Sequence, residues 1–299
     1  MPDNKIKRMP GGVHTAIVTP FDYGGIDAGG FERLLGIQKE SRVSGVVVLG
    51  TTGEAPTVTE YERDTLISLT VRALGGTKTV TVGCGSNDTG KAVGLCKRAA
   101  ALGADLVLTV TPYYNRPSQR GLLRHYLTVA EASPLPVVIY NVPSRTGVDI
   151  SADTLAVLSE HENVAGYKEA STDLNSVTAK MQAAPSLPFF CGSDTLLYHF
   201  LCLGASGAVS VSSNIEPDLT CEITERFEKG DAEGAKNAFF RLYPFLQALA
   251  LDTNPVPVKT VMEAAGLISA AVRPPLCSMS SGLRSKLLYA AADLGIDIK

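Results

Sequence analysis

Eight short apolar runs alternate with longer segments of helical period along this chain. The runs occupy residues 14–19, 45–49, 79–83, 106–111, 136–141, 164–168, 188–191 and 207–211, and they are rich in β-branched side chains. They are apolar almost without interruption, as strands buried on both faces are, rather than alternating as half-exposed strands do. Strands that lie parallel need a crossover of a dozen or more residues between them. The intervening segments 31–41, 59–74, 91–102 and 122–130 carry apolar residues at helical spacing and can supply such crossovers. Gly and Pro clusters mark the joins. A doubly wound open sheet is the competing α/β arrangement. Eight strand–helix units within about 220 residues favour a closed (β/α)8 TIM barrel.

After residue 215 the strand signal stops, and 216–229, 231–250, 256–265 and 281–294 all read as helices. No low-complexity stretch or flexible linker separates them from what precedes. The expected organisation is a catalytic barrel over residues 1–229 and a C-terminal helical extension over 230–299, packed on the barrel.

Composition narrows the function. A net charge of −3 and the lack of a dense Lys/Arg patch argue against nucleic-acid binding. Hydrophobic residues make up 45 % and tryptophan is absent, so the core should be large and aliphatic. No run of about 18 apolar residues occurs, which argues against a membrane span. The N-terminus, Met1-Pro2-Asp3-Asn4-Lys5-Ile6-Lys7-Arg8, has no apolar leader core. The six cysteines, at 84, 96, 191, 202, 221 and 277, lack CxxC spacing and read as reduced thiols. A cytoplasmic protein is expected.

In barrels of this kind the active site forms where strands end at their C-terminal side. The second run ends in Gly50-Thr51-Thr52-Gly53-Glu54, whose small residues and exposed N–H groups can cradle a carboxylate or phosphate. A plain βα turn would look the same. The fourth run leads into Tyr113-Tyr114-Asn115-Arg116-Pro117, and the fifth into Tyr140-Asn141-Val142-Pro143-Ser144-Arg145-Thr146-Gly147. The sixth ends in Lys168. An ammonium buried at a strand end is costly, and a salt bridge or a side chain reaching water would relieve it. Alternatively, burial favours the neutral amine, which can attack a carbonyl. Tyr140 is then a phenol able to shuttle protons rather than only a core aromatic. Arg145 either solvates a loop or offers a planar fork for a substrate carboxylate.

Other chemistries find little support. The histidines, at 14, 125, 161 and 199, show no metal-ligand spacing. No GxSxG elbow is present. Gly83-Cys84-Gly85 lacks the third glycine of a dinucleotide fingerprint, and the Gly50–Gly53 turn is not followed by the Gly-Lys-Ser/Thr of a P-loop.

These segments together resemble the dihydrodipicolinate synthase family, within the class I pyruvate-aldolase superfamily. The resemblance rests on Gly50-Thr51-Thr52-Gly53-Glu54, Tyr113-Tyr114-Asn115-Arg116-Pro117-Ser118-Gln119, the segment from Tyr140 to Gly147, and Tyr167-Lys168-Glu169. It extends into the tail through the segment from Asp252 to Lys259 and through Arg273-Pro274-Pro275-Leu276. It implies that pyruvate condenses with L-aspartate-4-semialdehyde to give 4-hydroxy-tetrahydrodipicolinate, on the route to diaminopimelate and lysine. Lys168 would form the Schiff base, and Tyr140 would belong to a proton relay with Thr51 and with Tyr114 from a neighbouring subunit. Thr51 and Thr52 would hold the pyruvate carboxylate, Arg145 would bind the semialdehyde carboxylate, and Val209 and Gly192 would line the pocket. No metal or organic cofactor would be needed. A dimer would be the minimal active unit and a homotetramer, a dimer of dimers, the usual assembly. Many relatives bind L-lysine near positions that here carry Ala55, Pro56, Glu60, Arg63, Asn87 and Lys91. Because Lys91 is basic where lysine-sensitive relatives are acidic, feedback by lysine is expected to be weak or absent.

Two alternatives remain at this point. One is another pyruvate-dependent aldolase of the same superfamily, such as a sialic acid lyase or a 2-keto-3-deoxy-sugar-acid aldolase. The other is a catalytically silent barrel that binds a keto acid.

Overall fold

Valine-rich runs with few polar interruptions can satisfy their backbone only by pairing with one another, and here they close on themselves. The computed structural model describes residues 8–22 and 24–299. The leaderless reading of the N-terminus rests on residues 1–7 and lies outside the described residues. The barrel strands are β1 (Gly12–Ala16), β2 (Gly45–Val48), β3 (Thr79–Gly83), β4 (Leu106–Val110), β5 (Val137–Asn141), β6 (Val164–Glu169), β7 (Phe189–Cys191) and β8 (Gly207–Ser210). Each pairs in parallel with the next, and β8 returns to β1, so the sheet has no edge.

Around it lie α1 (Ala28–Glu40), α2 (Glu60–Leu74), α3 (Thr89–Ala101), α4 (Gln119–Ala132), α5 (Ala152–Ser159), α6 (Leu174–Ala183), α7 (Leu197–Cys202) and α8 (Pro217–Glu228). Most begin at a side-chain cap. Thr59 and Glu62 form a reciprocal capping box on α2, and Asp88, Ser118, Ser151 and Asp173 cap α3 to α6.

Strand alternation sorts the side chains into two layers. Val47, Leu108, Val138, Tyr140, Phe190 and Val209 point inward and fill the barrel. Their neighbours Val46, Val48, Val107, Ile139, Tyr167 and Phe189 point outward against the helices. This double burial explains why the runs read as apolar throughout.

Two details depart from the sequence expectation. The first strand ends at Ala16 rather than at 19, because the N–H of Val18 donates to Asn214 Oδ1 (3.1 Å) and the Thr19 hydroxyl donates to the Gly53 carbonyl (2.8 Å). A hairpin of Phe21–Asp22 and Gly25–Ile26 follows it. Strands of two residues leave no periodicity to detect.

The β5–β6 pairing contains a one-residue irregularity. Val137 pairs with Val164, but Val138 pairs with Gly166, so the ladder skips Ala165. The carbonyl left unpaired by the skip accepts from the Met9 N–H at 3.0 Å. From that point the pairing places Tyr140 beside Lys168 and Asn141 beside Glu169.

The tail forms α9 (Ala232–Leu249), α10 (Val256–Ala264) and α11 (Ser281–Leu294). Leu242, Phe245, Leu246, Val261, Leu287 and Ala291 build a second apolar cluster with Leu219 and Ile223 of α8. Val258 and Met262 of α10 belong instead to the main core. The segment around α10 therefore lies over the barrel. Among the described residues no helix is long and apolar enough to cross a membrane.

His14 lies fully buried in β1, with Nε2 bonded to the Pro10 carbonyl at 2.9 Å and no partner for Nδ1 among the described residues. Burial lowers its pKa from 6.5 to about 4. Between those values the unfolded chain binds a proton that the folded one refuses, so stability present above pH 6.5 is lost as pH falls toward 4. The loss attributable to His14 should be on the order of 3 kcal/mol across that window. His125, also lowered to about 4 by burial, adds to the same slope. Urea midpoints measured between pH 7 and pH 4.5 should fall steadily in the natural chain and less steeply in His14→Asn.

Candidate active site

Lys168 stands one residue from the C-terminal end of β6, and the pairing sets it next to Tyr140 on β5. Both are 6 % exposed. Lys168 Nζ lies 4.2 Å from the centroid of the Tyr140 ring. Among the described residues no carboxylate comes within ion-pair distance of this nitrogen, so the salt-bridge explanation for the buried lysine finds no partner. Gly192, just past the end of β7, makes room for the side chain. A Cβ there would approach Lys168 Cε to 2.9 Å and Ala170 Cβ to 3.0 Å. Val209 is 1 % exposed and lies in the barrel-filling layer with Tyr140.

The turn after β2 carries two residues with positive φ, Leu49 at 59° and Glu54 at 51°. A bulky residue in that region is unfavourable unless its surroundings impose it. At Glu54 the imposition comes from the tail. Glu54 is buried, with Oε1 accepting from Lys259 Nζ at 2.7 Å and Oε2 accepting from the Arg273 N–H at 3.0 Å. Lys259 also donates to the Thr19 carbonyl at 2.9 Å. Burial lowers the Lys259 pKa while Glu54 opposes that shift. Arg273 pairs with Glu62, holding that carboxyl near 2, and its guanidinium lies over the Phe21 ring at 4.2 Å. Held in this way, the turn leaves the N–H groups of Thr51 and Thr52 without a protein acceptor among the described residues. The Thr52 hydroxyl accepts from Asn254 Nδ2 at 3.0 Å.

Arg145 sits on a single helical turn, Pro143–Thr146, and donates from Nη2 to the Asn254 carbonyl at 3.2 Å. Thr51, Tyr140, Arg145, Tyr113, Asn254 and Arg273 all border one cavity of about 510 Å³. Such a volume suits a small organic molecule. Lys168 is not part of its wall but stands against the Tyr140 ring that is.

Of the residues singled out from the sequence, Lys168, Tyr140, Thr51, Thr52, Arg145, Val209 and Gly192 thus fall in or beside one barrel mouth. Tyr114 does not. It is 90 % exposed at φ 68°, on the loop after β4, while Tyr113 borders the cavity. Of the positions considered for an effector, Ala55, Pro56, Glu60, Arg63 and Lys91 border the same cavity, and Asn87 does not.

Sequence reasoning missed Asn254, Glu54, Lys259 and Arg273 as parts of the site. All four lie within the segments that carried the resemblance, so the signal was present without an assigned role. Lys180, a fully buried lysine on α6, left no signal in the sequence.

A buried lysine beside a phenol at the C-terminal mouth of a (β/α)8 barrel, with a carboxylate-sized cradle opposite, is the arrangement of a Schiff-base-forming barrel enzyme. The comparisons with known proteins give the family. Residues 9–293 match the model of the Dihydrodipicolinate synthetase family, and the chain belongs to that family. It is 41 % identical over 289 residues to the 4-hydroxy-tetrahydrodipicolinate synthase of Kosmotoga olearia, covering 95 % of this chain and 98 % of that one. The synthase of Thermotoga maritima is 42 % identical over 274 residues, covering 90 % and 93 %. The crystal structure of dihydrodipicolinate synthase from Thermotoga maritima superposes with a TM-score of 0.94 at 39 % identity, covering 97 % of this chain and all of that chain (100 %). A structure described as the first monomeric dihydrodipicolinate synthase variant gives a TM-score of 0.94 at 39 % identity, covering 96 % and 97 %.

Proposed function

We propose that this chain condenses pyruvate with L-aspartate-4-semialdehyde to 4-hydroxy-tetrahydrodipicolinate, with Lys168 as the imine-forming nucleophile. The observation that carries the reading is the Lys168–Tyr140 pair, a buried amine with no carboxylate partner among the described residues against a buried phenol. The Lys168 amine attacks the ketone carbon of pyruvate, and the carbinolamine loses water to give the imine. Loss of a methyl proton gives an enamine, whose carbon adds to the aldehyde of the second substrate. The amine of that substrate then attacks the imine carbon and displaces Lys168, closing the ring. One water leaves overall, and the protonated imine is the electron sink.

Tyr140 is positioned to pass protons in the carbinolamine steps. The free N–H groups of Thr51 and Thr52 can hold the pyruvate carboxylate, and Arg145 offers its guanidinium to the carboxylate of the semialdehyde. Val209 and Gly192 shape the space beside the lysine. The Arg145 fork favours this reaction over a sialic acid lyase or sugar-acid aldolase, and the whole constellation over a silent keto-acid binder. The test is to incubate with pyruvate, reduce with borohydride and map the modified lysine by mass spectrometry. Lack of an adduct at Lys168 removes the reading, and turnover of aspartate semialdehyde against that of sialic or keto-deoxy acids decides the substrate.

The exposure of Tyr114 supports its service to a neighbouring subunit, with a dimer as the minimal active unit and a homotetramer as the full assembly, in the cytoplasm. Residues 230–299 would act with the 1–229 barrel as one unit, since Lys259 and Arg273 reach into its mouth. Mixing Lys168→Ala with Tyr114→Phe should therefore restore activity that neither variant has alone, through hybrid sites carrying both natural residues. Failure of the refolded mixture to exceed the two separate activities would count against a relay shared between subunits.

A further inference from the structure

On the outer face of the same two strands, one residue beyond the reacting pair, Asn141 and Glu169 are also paired neighbours. Asn141 Nδ2 donates to Glu169 Oε1 at 2.9 Å and to Oε2 at 3.0 Å. Glu169 has no solvent exposure and pairs at 2.9 Å with Lys180 Nζ of α6, which is 1 % exposed. The carboxylate also accepts from the Tyr167 hydroxyl (3.1 Å) and the Ser171 N–H (2.7 Å). Burial pushes the Tyr167 phenol up, keeping it a donor. Asp149 joins from the loop before α5, bonded to both Asn141 and Lys180. The sixth strand is thereby tied to the fifth and to α6 through one buried ionic cluster.

We propose that Glu169 and Lys180, with Asn141 and Asp149, are positioning residues that hold Lys168 in register against Tyr140. Burying an ion pair is a poor way to gain stability, since a well-packed apolar pair of similar volume holds two elements at least as well. What the ionic cluster supplies is a penalty for the wrong register. The ladder skips Ala165, and without that skip Tyr140 would face Tyr167 and every later β6 side chain would change sides. Glu169 would then turn into the apolar barrel as an unpaired carboxylate and leave Lys180 with Asp149 as its one partner in the cluster, an arrangement the chain avoids. The cluster sits at the end of the strand where the shifted register must be enforced, and Lys168 is the residue whose placement depends on it.

The inference rests on Lys168 as the imine former, and the test separates the two. Imine formation with pyruvate is timed by rapid borohydride quenching, normalised to folded protein, beside steady-state kcat and KM. If the natural chain shows no Lys168 adduct, the functional reading itself fails. If it does, Lys180→Met should slow imine formation about tenfold or more, because small misplacement of a reacting group is costly. The KM for pyruvate should stay within about threefold, since the Thr51–Thr52 cradle is untouched. Should the single variant not fold, Lys180→Met/Glu169→Gln removes both charges together and is read in the same way. Folded variants that lose thermal stability yet form the imine at the natural rate would reduce the cluster to a structural role and overturn the proposal.

Discussion

Replacing Lys168 by alanine is expected to abolish the pyruvate adduct and to lower turnover by at least about 10³-fold, with no loss of thermal stability. The first half follows from the proposed role of Lys168 as the imine former; among the described residues no other amine stands against the Tyr140 ring. The second half runs against the usual effect of emptying a buried site. It is expected because the residue removed is a 6 %-exposed amine lacking a carboxylate partner among the described residues, a burden that the fold bears for function. Lys168→Arg should be as inactive as alanine, because a guanidinium stays protonated and cannot attack a ketone. Parallel measurement of borohydride-trapped adduct, aspartate-semialdehyde turnover and melting temperature checks all three statements. A melting temperature that falls sharply in Lys168→Met would mean that the lysine contributes to packing after all.

The largest stability effect should come from the opposite kind of lysine. Lys259→Met leaves Glu54 as a buried carboxylate without its ammonium, and breaking such a pair costs about 3–5 kcal/mol. The damage should reach the site as well. Glu54 holds the turn that carries Thr51 and Thr52, so the KM for pyruvate should rise in the fraction that remains folded. Urea unfolding and steady-state kinetics read the two effects separately. The double variant Glu54→Gln/Lys259→Met should recover most of the lost stability, because no lone charge remains. The Arg98–Asp64 pair on the surface is a useful control; water and salt screen it, and its removal should change little.

These two lysines show what the sequence makes legible and what it hides. All eight barrel strands stood out because each is a short, largely apolar and β-branched run buried on both faces, a local property of each run. Lys168 stood out because it interrupts such a run. Lys259 and Lys180 are buried more completely, but each sits in a helix where lysine is ordinary, and only tertiary packing brings Glu54 or Glu169 to it. The same holds for Asn254, which meets Thr52 and Arg145 across more than a hundred positions of chain. Tyr114 was legible as a candidate only through resemblance, for it is 90 % exposed and stands apart from the cluster that the other candidates form.

The skipped residue in the sixth strand carries a consequence for how this chain can tolerate change. Before Ala165 the strand counts its inward positions in one phase, and after it in the other. Deleting a single residue between Val164 and Tyr167 would therefore leave composition and hydropathy almost untouched while turning Lys168 to the outside of the barrel and Tyr167 and Glu169 away from the helices. An insertion of one residue there would do the same, whereas a matched insertion and deletion would restore the site. The placement of Lys168 at this barrel mouth thus depends on an odd-or-even count along six residues, and length variation in that strand keeps it there only in steps of two.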